Sequence, residues 1–325
     1  MKNNFNFDIV FSLLTSPGER LPIIYKWMRD MVWSDEAFQS METTDYFEKG
    51  EKQIQKLEEL ILTSANGVYD EVAAMAEKTY SLVEELKQSK TAVVILDGMS
   101  IREIPLLKML AKNSGFHVQE SSYKIAALPS DTVSFIEQRI IGKVIAPSQL
   151  ENRRELSGWN IRAHYYDTPT RQFELNSSDN NYLLWSSFPD GTYSNFEARN
   201  SFHFETFVKQ FDVVWKNIIM AIPRDYKIII TSDHGYVYLN NGFESSIKGE
   251  TALRFLNQDR FKYYTDDEIL PDTLTELKSI PHRKLAMLKG RIKNRPKGQS
   301  ANKVFRHGGL SLMEMLTPWL VIKRN

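Results

Sequence analysis

The chain has 325 residues, 42% of them hydrophobic, with 41 acidic and 41 basic side chains and no cysteine. That apolar content excludes a disordered chain, and the length suits one large core with an appendage. Without cysteine there are no disulfides and no thiolate metal sites, so any metal must be held by oxygen and imidazole.

The first residues, MKNNFNFDIVFSLL, carry one lysine, an early Asp8 and no small-residue cleavage site, which makes a poor signal peptide. No apolar run reaches the ~18 residues of a membrane span, so a soluble, cytoplasmic protein without membrane association is expected. The zero net charge hides an asymmetry. Residues 1–90 carry 16 acids and 10 bases, and residues 91–325 carry the compensating excess of bases. Two regions with different surfaces are implied, although ordinary solvated faces give the same split.

Residues 20–90 read as helix. Ile54, Leu57 and Ile61 recur at the spacing of one helix face, and Asn66-Gly67 then supplies a stop and turn. From Val68 the period continues through Val72, Met75, Leu82, Val83 and Leu86, which predicts a second helix and hence a hairpin or small bundle. No chemistry-bearing cluster occurs here. The expected division is a helical N-terminal region, 1–90, and a core, 91–325.

The character changes at residue 91. TAVVILDGMS is a continuous β-branched run ending in Asp-Gly, which suits a strand buried on both faces of a parallel sheet. REIPLLKMLAKNSG reads as a helix with a glycine stop. NYLLWSSFPDG (181–191) and DYKIIITSDHGY (225–236) repeat the strand pattern. Strands alternating with helical patterns predict an α/β fold with a central, mostly parallel sheet flanked by helices.

In such sheets, sites form beyond the carboxyl ends of the strands. Three polar clusters fall there: Asp97, Asp190 and the pair Asp233-His234; a fourth, Arg306-His307-Gly308-Gly309, lies near the C-terminus. Asp and His are the ligands expected for zinc or a similar ion where cysteine is lacking. Singly, an Asp-Gly after a strand is an ordinary turn, and a lone SDHG arises by chance. Together they point to one site.

The ordered set Asp97-Gly98, Leu128-Pro129-Ser130-Asp131-Thr132, Thr231-Ser232-Asp233-His234-Gly235, and His307-Gly308-Gly309-Leu310-Ser311 with Glu314 and Pro318 resembles the PglZ domain of the alkaline phosphatase superfamily. The resemblance spans roughly residues 91–325, and its last motif is the most specific. It implies an alkaline phosphatase-like core and two divalent metal ions, with zinc first and manganese second in expectation. Asp97, Asp233 and His234 match the ligands of the ion that activates the nucleophile. Thr132 matches the nucleophile, with Ser130 as its rival. Asp190 and His307 match ligands of the second ion. Many relatives carry a histidine four residues after that aspartate. Here Ser194 stands in its place, which leaves the second site one imidazole short. Either another residue fills in, or the site binds weakly or is lost. His203 is the nearest candidate, though its aromatic neighbours equally suit a packed core histidine.

A threonine hydroxyl is a poor nucleophile until a metal or base favours its alkoxide. The implied reaction is therefore in-line displacement at phosphorus through a phosphothreonine, released by water. The resemblance also implies a phosphodiesterase or phosphatase acting on nucleotides or nucleic acid, a setting in bacterial antiphage defence or signalling, and partner proteins of a defence system. The missing histidine favours a different reading, a degenerate core that serves as a scaffold for partner proteins.

Between Arg283 and Arg306 the chain holds nine basic side chains and no acid, leading directly into His307. A basic run is usually a solvated loop. Its position makes Lys293, Arg295 and Arg306 candidates for holding a phosphate backbone. Tyr263 and Tyr264 are candidates for stacking on a base, with core packing the plainer expectation.

Overall fold

The computed structural model describes residues 7–65, 67–78, 80–176, 180–193, 203–244, 249–268, 270, 276–295 and 305–324. Helices α1 (Phe7–Thr15), α2 (Arg20–Trp27), α3 (Asp35–Ser40), α4 (Thr43–Ser64), α5 (Gly67–Glu77) and α6 (Leu82–Leu86) precede β1 (Thr91–Leu96). Then follow α7 (Ile104–Asn113), β2 (Phe116–Ile125), α8 (Thr132–Phe135), α9 (Arg154–Gly158), β3 (Ile161–Tyr166), β4 (Asn181–Ser186), α10 (Asp190–Tyr193) and α11 (His203–Val214). The last third contains β5 (Lys227–Thr231), β6 (Val237–Tyr238), α12 (Gly249–Phe255), β7 (Phe261–Tyr263), β8 (Leu277–Ile280), β9 (Leu285–Leu288), β10 (Phe305–Arg306), α13 (Leu312–Met315) and β11 (Leu316–Arg324).

Six strands form the central sheet in the order β2-β11-β5-β1-β4-β3. β1 pairs in parallel with β4 and β5, and β3 with β4, while β11 runs antiparallel between β5 and β2. Five strands thus point one way and β11 the other, as the buried apolar runs require of a mostly parallel sheet. β2, β3 and β11 were not among the strands expected from sequence.

Side chains alternate across the sheet. Ala92, Val94 and Leu96 of β1 enter one core with α1–α5, α7 and α11, whereas Val93 and Ile95 enter a second core with α6, α8 and α9. Ile228 and Ile230 of β5 face the first core, and Ile229 faces the second. The 1–90 segment therefore contributes helices to both faces of the sheet, and packing is continuous across residue 90. The apolar period expected to run as one helix from Val68 to Leu86 is divided between α5 and α6. The break lets Val72 and Ala76 bury on one face while Leu82, Val83 and Leu86 bury on the other. A smaller antiparallel sheet, β7-β9-β8, packs with α12 over its own core.

α4 is tied to the core by buried charge as well as by apolar contact. Glu51 accepts hydrogen bonds from Arg102 at 2.5 Å and from Arg291, and Glu58 accepts one from the Leu312 N–H at 2.6 Å. Glu51, Glu58, Arg102 and Arg291 have no solvent exposure. Removing one member of such a network leaves its partners buried and uncompensated, which costs more than the pairing contributed. Glu51→Ala is therefore expected to lower the unfolding free energy by about 3–5 kcal/mol in urea titration, and a loss below about 1 kcal/mol would show the network to be incidental.

Candidate active site

The carboxyl ends of β1, β2, β4 and β5 lie at one edge of the sheet, and the start of β11, running the other way, reaches the same edge. Asp97 directly follows β1, Asp190 opens the helix after β4, Asp233 and His234 follow β5, and Thr132 begins α8 beyond β2. His307 precedes α13 and β11. Five segments, four following strands and one preceding β11, thus deliver the sequence-derived residues to one place, as expected at the carboxyl edge of an α/β sheet.

The loops are fastened to one another through main chain. Asp97 donates its N–H to Ser186 O at 3.0 Å and accepts from the Asp190 N–H at 2.9 Å. The Ser232 hydroxyl accepts from the Met99 N–H at 2.9 Å and lies 2.6 Å from Leu96 O, which joins the β1 and β5 loops. Gly98 adopts φ +76, and a Cβ there would lie 3.0 Å from the Asp190 Cβ. Glycine meets both demands, which gives the Asp-Gly pair a structural reason.

At the centre, one ligand atom each from Asp97, Asp233 and His234 lies within 4.8 Å of the others. Asp233 and His234 are wholly buried, and Asp97 is 8% exposed. Each has its outward atom engaged. Asp97 Oδ2 accepts from Trp185 Nε1 at 3.1 Å, and Asp233 Oδ1 accepts from the Gly98 N–H at 3.1 Å. His234 Nδ1 is 2.9 Å from Gly235 O, which places the proton on Nδ1 and leaves the Nε2 lone pair free. The inward atoms Asp97 Oδ1 and Asp233 Oδ2 lie 3.6 and 3.5 Å from His234 Nε2. Thr132 Oγ1 joins them, donating to Asp233 Oδ2 at 2.6 Å, 3.3 Å from His234 Nε2 and 3.4 Å from Asp97 Oδ1.

These residues fit a divalent cation. Ligands about 2.0–2.1 Å from a tetrahedral ion sit roughly 3.3 Å apart, close to most of the separations here. The engaged outer atoms are the partners that orient metal ligands. Among the described residues, the only ion-pair partners of Asp97, Asp190 and Asp233 are the histidines of the site, so no Lys or Arg offsets their charge.

Burial first, then repulsion from Asp233 and Asp190, holds the Asp97 carboxyl well above the usual carboxylate range. Burial pushes the His234 imidazole down, but Asp233, Asp190 and the Gly235 carbonyl outweigh it and leave it raised. Burial and the adjacent His234 ring push His307 down.

The second group of ligands is looser. His307 stacks on His234 with ring centroids 4.1 Å apart, and its Nε2 is 3.9 Å from Asp190 Oδ1. Both are about one-third exposed. Ser194 lies outside the described residues, and of His203 only its backbone, at the start of α11, is described.

The Ser130 hydroxyl is buried, donates to Gly309 O at 2.8 Å and accepts from the Gly308 N–H at 3.0 Å. It fastens one loop to the other and does not face the ligand cluster. Lys293 and Arg306 are paired with Glu244 and Asp259 at 2.6 and 2.8 Å. Arg295 closes the described stretch 276–295. Tyr263 is 53% exposed on β7, whereas Tyr264 is part-buried and bonds Ser279 at 3.1 Å. Sequence reasoning missed Trp185, whose indole N–H fixes Asp97; its only signal was a place in a buried strand.

No family model and no curated protein matches the chain. Among solved structures, the murine ectonucleotide pyrophosphatase/phosphodiesterase 5 aligns at 12% identity and a TM-score of 0.41, over 71% of this chain and 87% of that one. The human protein of that name aligns at 12% identity and 0.44, over 71% and 87%. An inactive murine form in complex with AMP aligns at 12% identity and 0.39, over 72% and 88%. Likeness at this level leaves the chemistry to the site's own residues.

The pH dependence of stability follows from these shifts. A carboxyl raised by folding binds its proton more readily folded than unfolded, so Asp97 adds stability as pH falls through its folded value toward the ordinary carboxylate range. Glu58 and Glu103, raised to about 7 chiefly by burial, act in the same direction. The raised His234 contributes stability that is complete below the ordinary imidazole range and is lost as pH rises through its folded value. His307, pushed down, opposes them only below the ordinary imidazole range. In chelator, the urea midpoint is expected to be higher near pH 6.5 than near pH 8.5, both roughly chosen around the imidazole range. A midpoint that rises with pH would contradict this charge balance.

Proposed function

We propose that the chain is a metal-dependent phosphoric ester hydrolase with Thr132 as nucleophile. One observation carries the reading: Thr132 Oγ1 lies within 3.4 Å of the inward atoms of Asp97, Asp233 and His234. A hydroxyl needs such a setting to act as an alkoxide. Ser130 is spent on Gly308 and Gly309, which favours Thr132 over its rival.

Asp97, Asp233 and His234 would hold one divalent ion, with zinc or manganese suited to the donors, and Asp190 and His307 a second. Bound there, the ions supply Lewis acidity that favours the Thr132 alkoxide and neutralises charge on the phosphoryl group. The Thr132 hydroxyl donates to Asp233 Oδ2 at 2.6 Å, which aims Oγ1 at the ligand cluster. On attack its proton would pass by way of solvent to the departing ester oxygen. In-line attack forms the Oγ1–P bond as the bond from phosphorus to the ester oxygen breaks, and the alcohol leaves with a proton. Water then attacks the threonine-bound phosphorus and restores the hydroxyl, releasing phosphate from a monoester substrate or a phosphate monoester from a diester. His307 and Asp190 lie at the same edge of the sheet and would bound the space beside a phosphoryl group on Thr132.

A nucleotide or nucleic-acid ester is the substrate class we propose. Lys293, Arg295 and Arg306 are its proposed anion contacts, although the carboxylates paired with Lys293 and Arg306 reduce the charge they offer. A place in antiphage defence or signalling, with partner proteins, rests on the motif resemblance alone.

Purified protein is expected to carry at least about one equivalent of zinc or manganese and to hydrolyse bis-p-nitrophenyl phosphate in a chelator-sensitive way. Thr132→Ala is expected to lower turnover by roughly 10³-fold or more, the scale of losing a nucleophile, while Ser130→Ala retains far more. Turnover that survives Thr132→Ala but not Ser130→Ala would reverse the assignment.

A further inference from the structure

The Asp259-Arg260-Phe261 segment, which leads into the small sheet, holds the loop that carries His307. Asp259 Oδ1 accepts from Arg306 Nη2 at 2.8 Å. Arg260 is wholly buried and donates from Nε and Nη2 to the two oxygens of Glu314, at 2.5 and 2.7 Å. Its remaining bonds go to main-chain carbonyls: Nη1 to Ile292 O at 2.9 Å and Nη2 to Gly290 O at 2.7 Å. All of its nitrogens are engaged, so the guanidinium has one orientation.

Glu314 passes that orientation on. Its Oε1 accepts from the Gly309 N–H at 2.9 Å and its Oε2 from the Ser311 N–H at 3.0 Å. Its main-chain carbonyl accepts from the Gly235 N–H at 2.9 Å, beside His234. The loop lies directly on this support. A Cβ on Gly309 would come within 2.7 Å of Arg260 Nη2, and one on Gly308, at φ +105, within 2.5 Å of Phe261 Cδ1. Both glycines after His307 are thus required by close approach to Arg260 and Phe261.

We infer that Arg260 is a positioning residue: through the bidentate pair with Glu314 it fixes where His307 stands against Asp190 and His234. The inference rests on the proposed hydrolase reading and extends it to a residue outside every motif that suggested that reading. A planar fork is needed because Glu314 must keep both oxygens available to the loop while paired, and an ammonium cannot reproduce that geometry.

Zinc titration calorimetry on Arg260→Lys, alongside kcat and KM for bis-p-nitrophenyl phosphate, tests the inference. Loss of such a supporting partner typically costs about 10–100-fold in metal affinity or activity. The second equivalent of zinc is expected to weaken by that factor while the first is unchanged, and kcat is expected to fall with KM altered little. Wild-type values for the second equivalent and kcat would overturn the inference, as would equal weakening of both equivalents, which marks general loosening. Should Arg260→Lys not fold by circular dichroism, Glu314→Gln carries the same comparison, and the same results support or overturn the inference. Wild-type protein that neither binds zinc nor turns over would instead overturn the hydrolase reading, before any variant is compared.

Discussion

Two buried carboxylates, Asp97 and Asp233, aim one oxygen each at a common point with one imidazole nitrogen, and no Lys or Arg offsets them among the described residues. Everything proposed for the chain depends on that arrangement. Like charges so close in a low-dielectric setting are costly unless protonated or joined by a cation. Burial first, then the neighbouring Asp233 and Asp190, raise the Asp97 carboxyl in the direction this cost requires. The outward atoms bound to Trp185, Gly98 and Gly235 stop the side chains from turning away to escape it.

The sheet explains why such an arrangement holds. β1, β5 and β4 are buried on both faces, so their register is fixed by two cores at once. Each then releases its acid at the same edge, and the loops beyond are cross-bonded, Asp97 to Asp190 and Ser232 to Leu96 and Met99. The small sheet supplies what the large one does not: Arg260 and Phe261, which seat the His307 loop. The N-terminal helices bear on the same region through Glu51, whose partner Arg102 donates to Tyr236 O, two residues from His234.

Much of this was legible in the sequence where the signal was a run. TAVVIL, NYLLWS and KIIIT are continuous apolar stretches, and all three are central strands. β2 was not legible because FHVQESSYKI is largely polar and partly exposed. β11 was hidden because Pro318 and its neighbours read as the tail of a motif, though seven of its nine residues are buried. The period from Val68 to Leu86 was real, but the chain divides it between two cores, which periodicity cannot reveal. In the site, Asp97, Asp233 and His234 lie together at the strand ends where their residue types drew notice, and Thr132, which only the motif resemblance singled out, lies beside them. Trp185 and Arg260 carried no pattern, since a lone tryptophan or arginine gains its role only from what folding sets beside it.

The central claim is that Asp97, Asp233 and His234 share an ion that Thr132 touches. Anomalous X-ray scattering at the zinc edge, from crystals grown with zinc, tests it directly. The account requires a peak about 2.0–2.2 Å from Asp97 Oδ1, Asp233 Oδ2 and His234 Nε2, with Thr132 Oγ1 beside it. A cluster without a peak, while zinc occupies other sites in the same crystal, would contradict it.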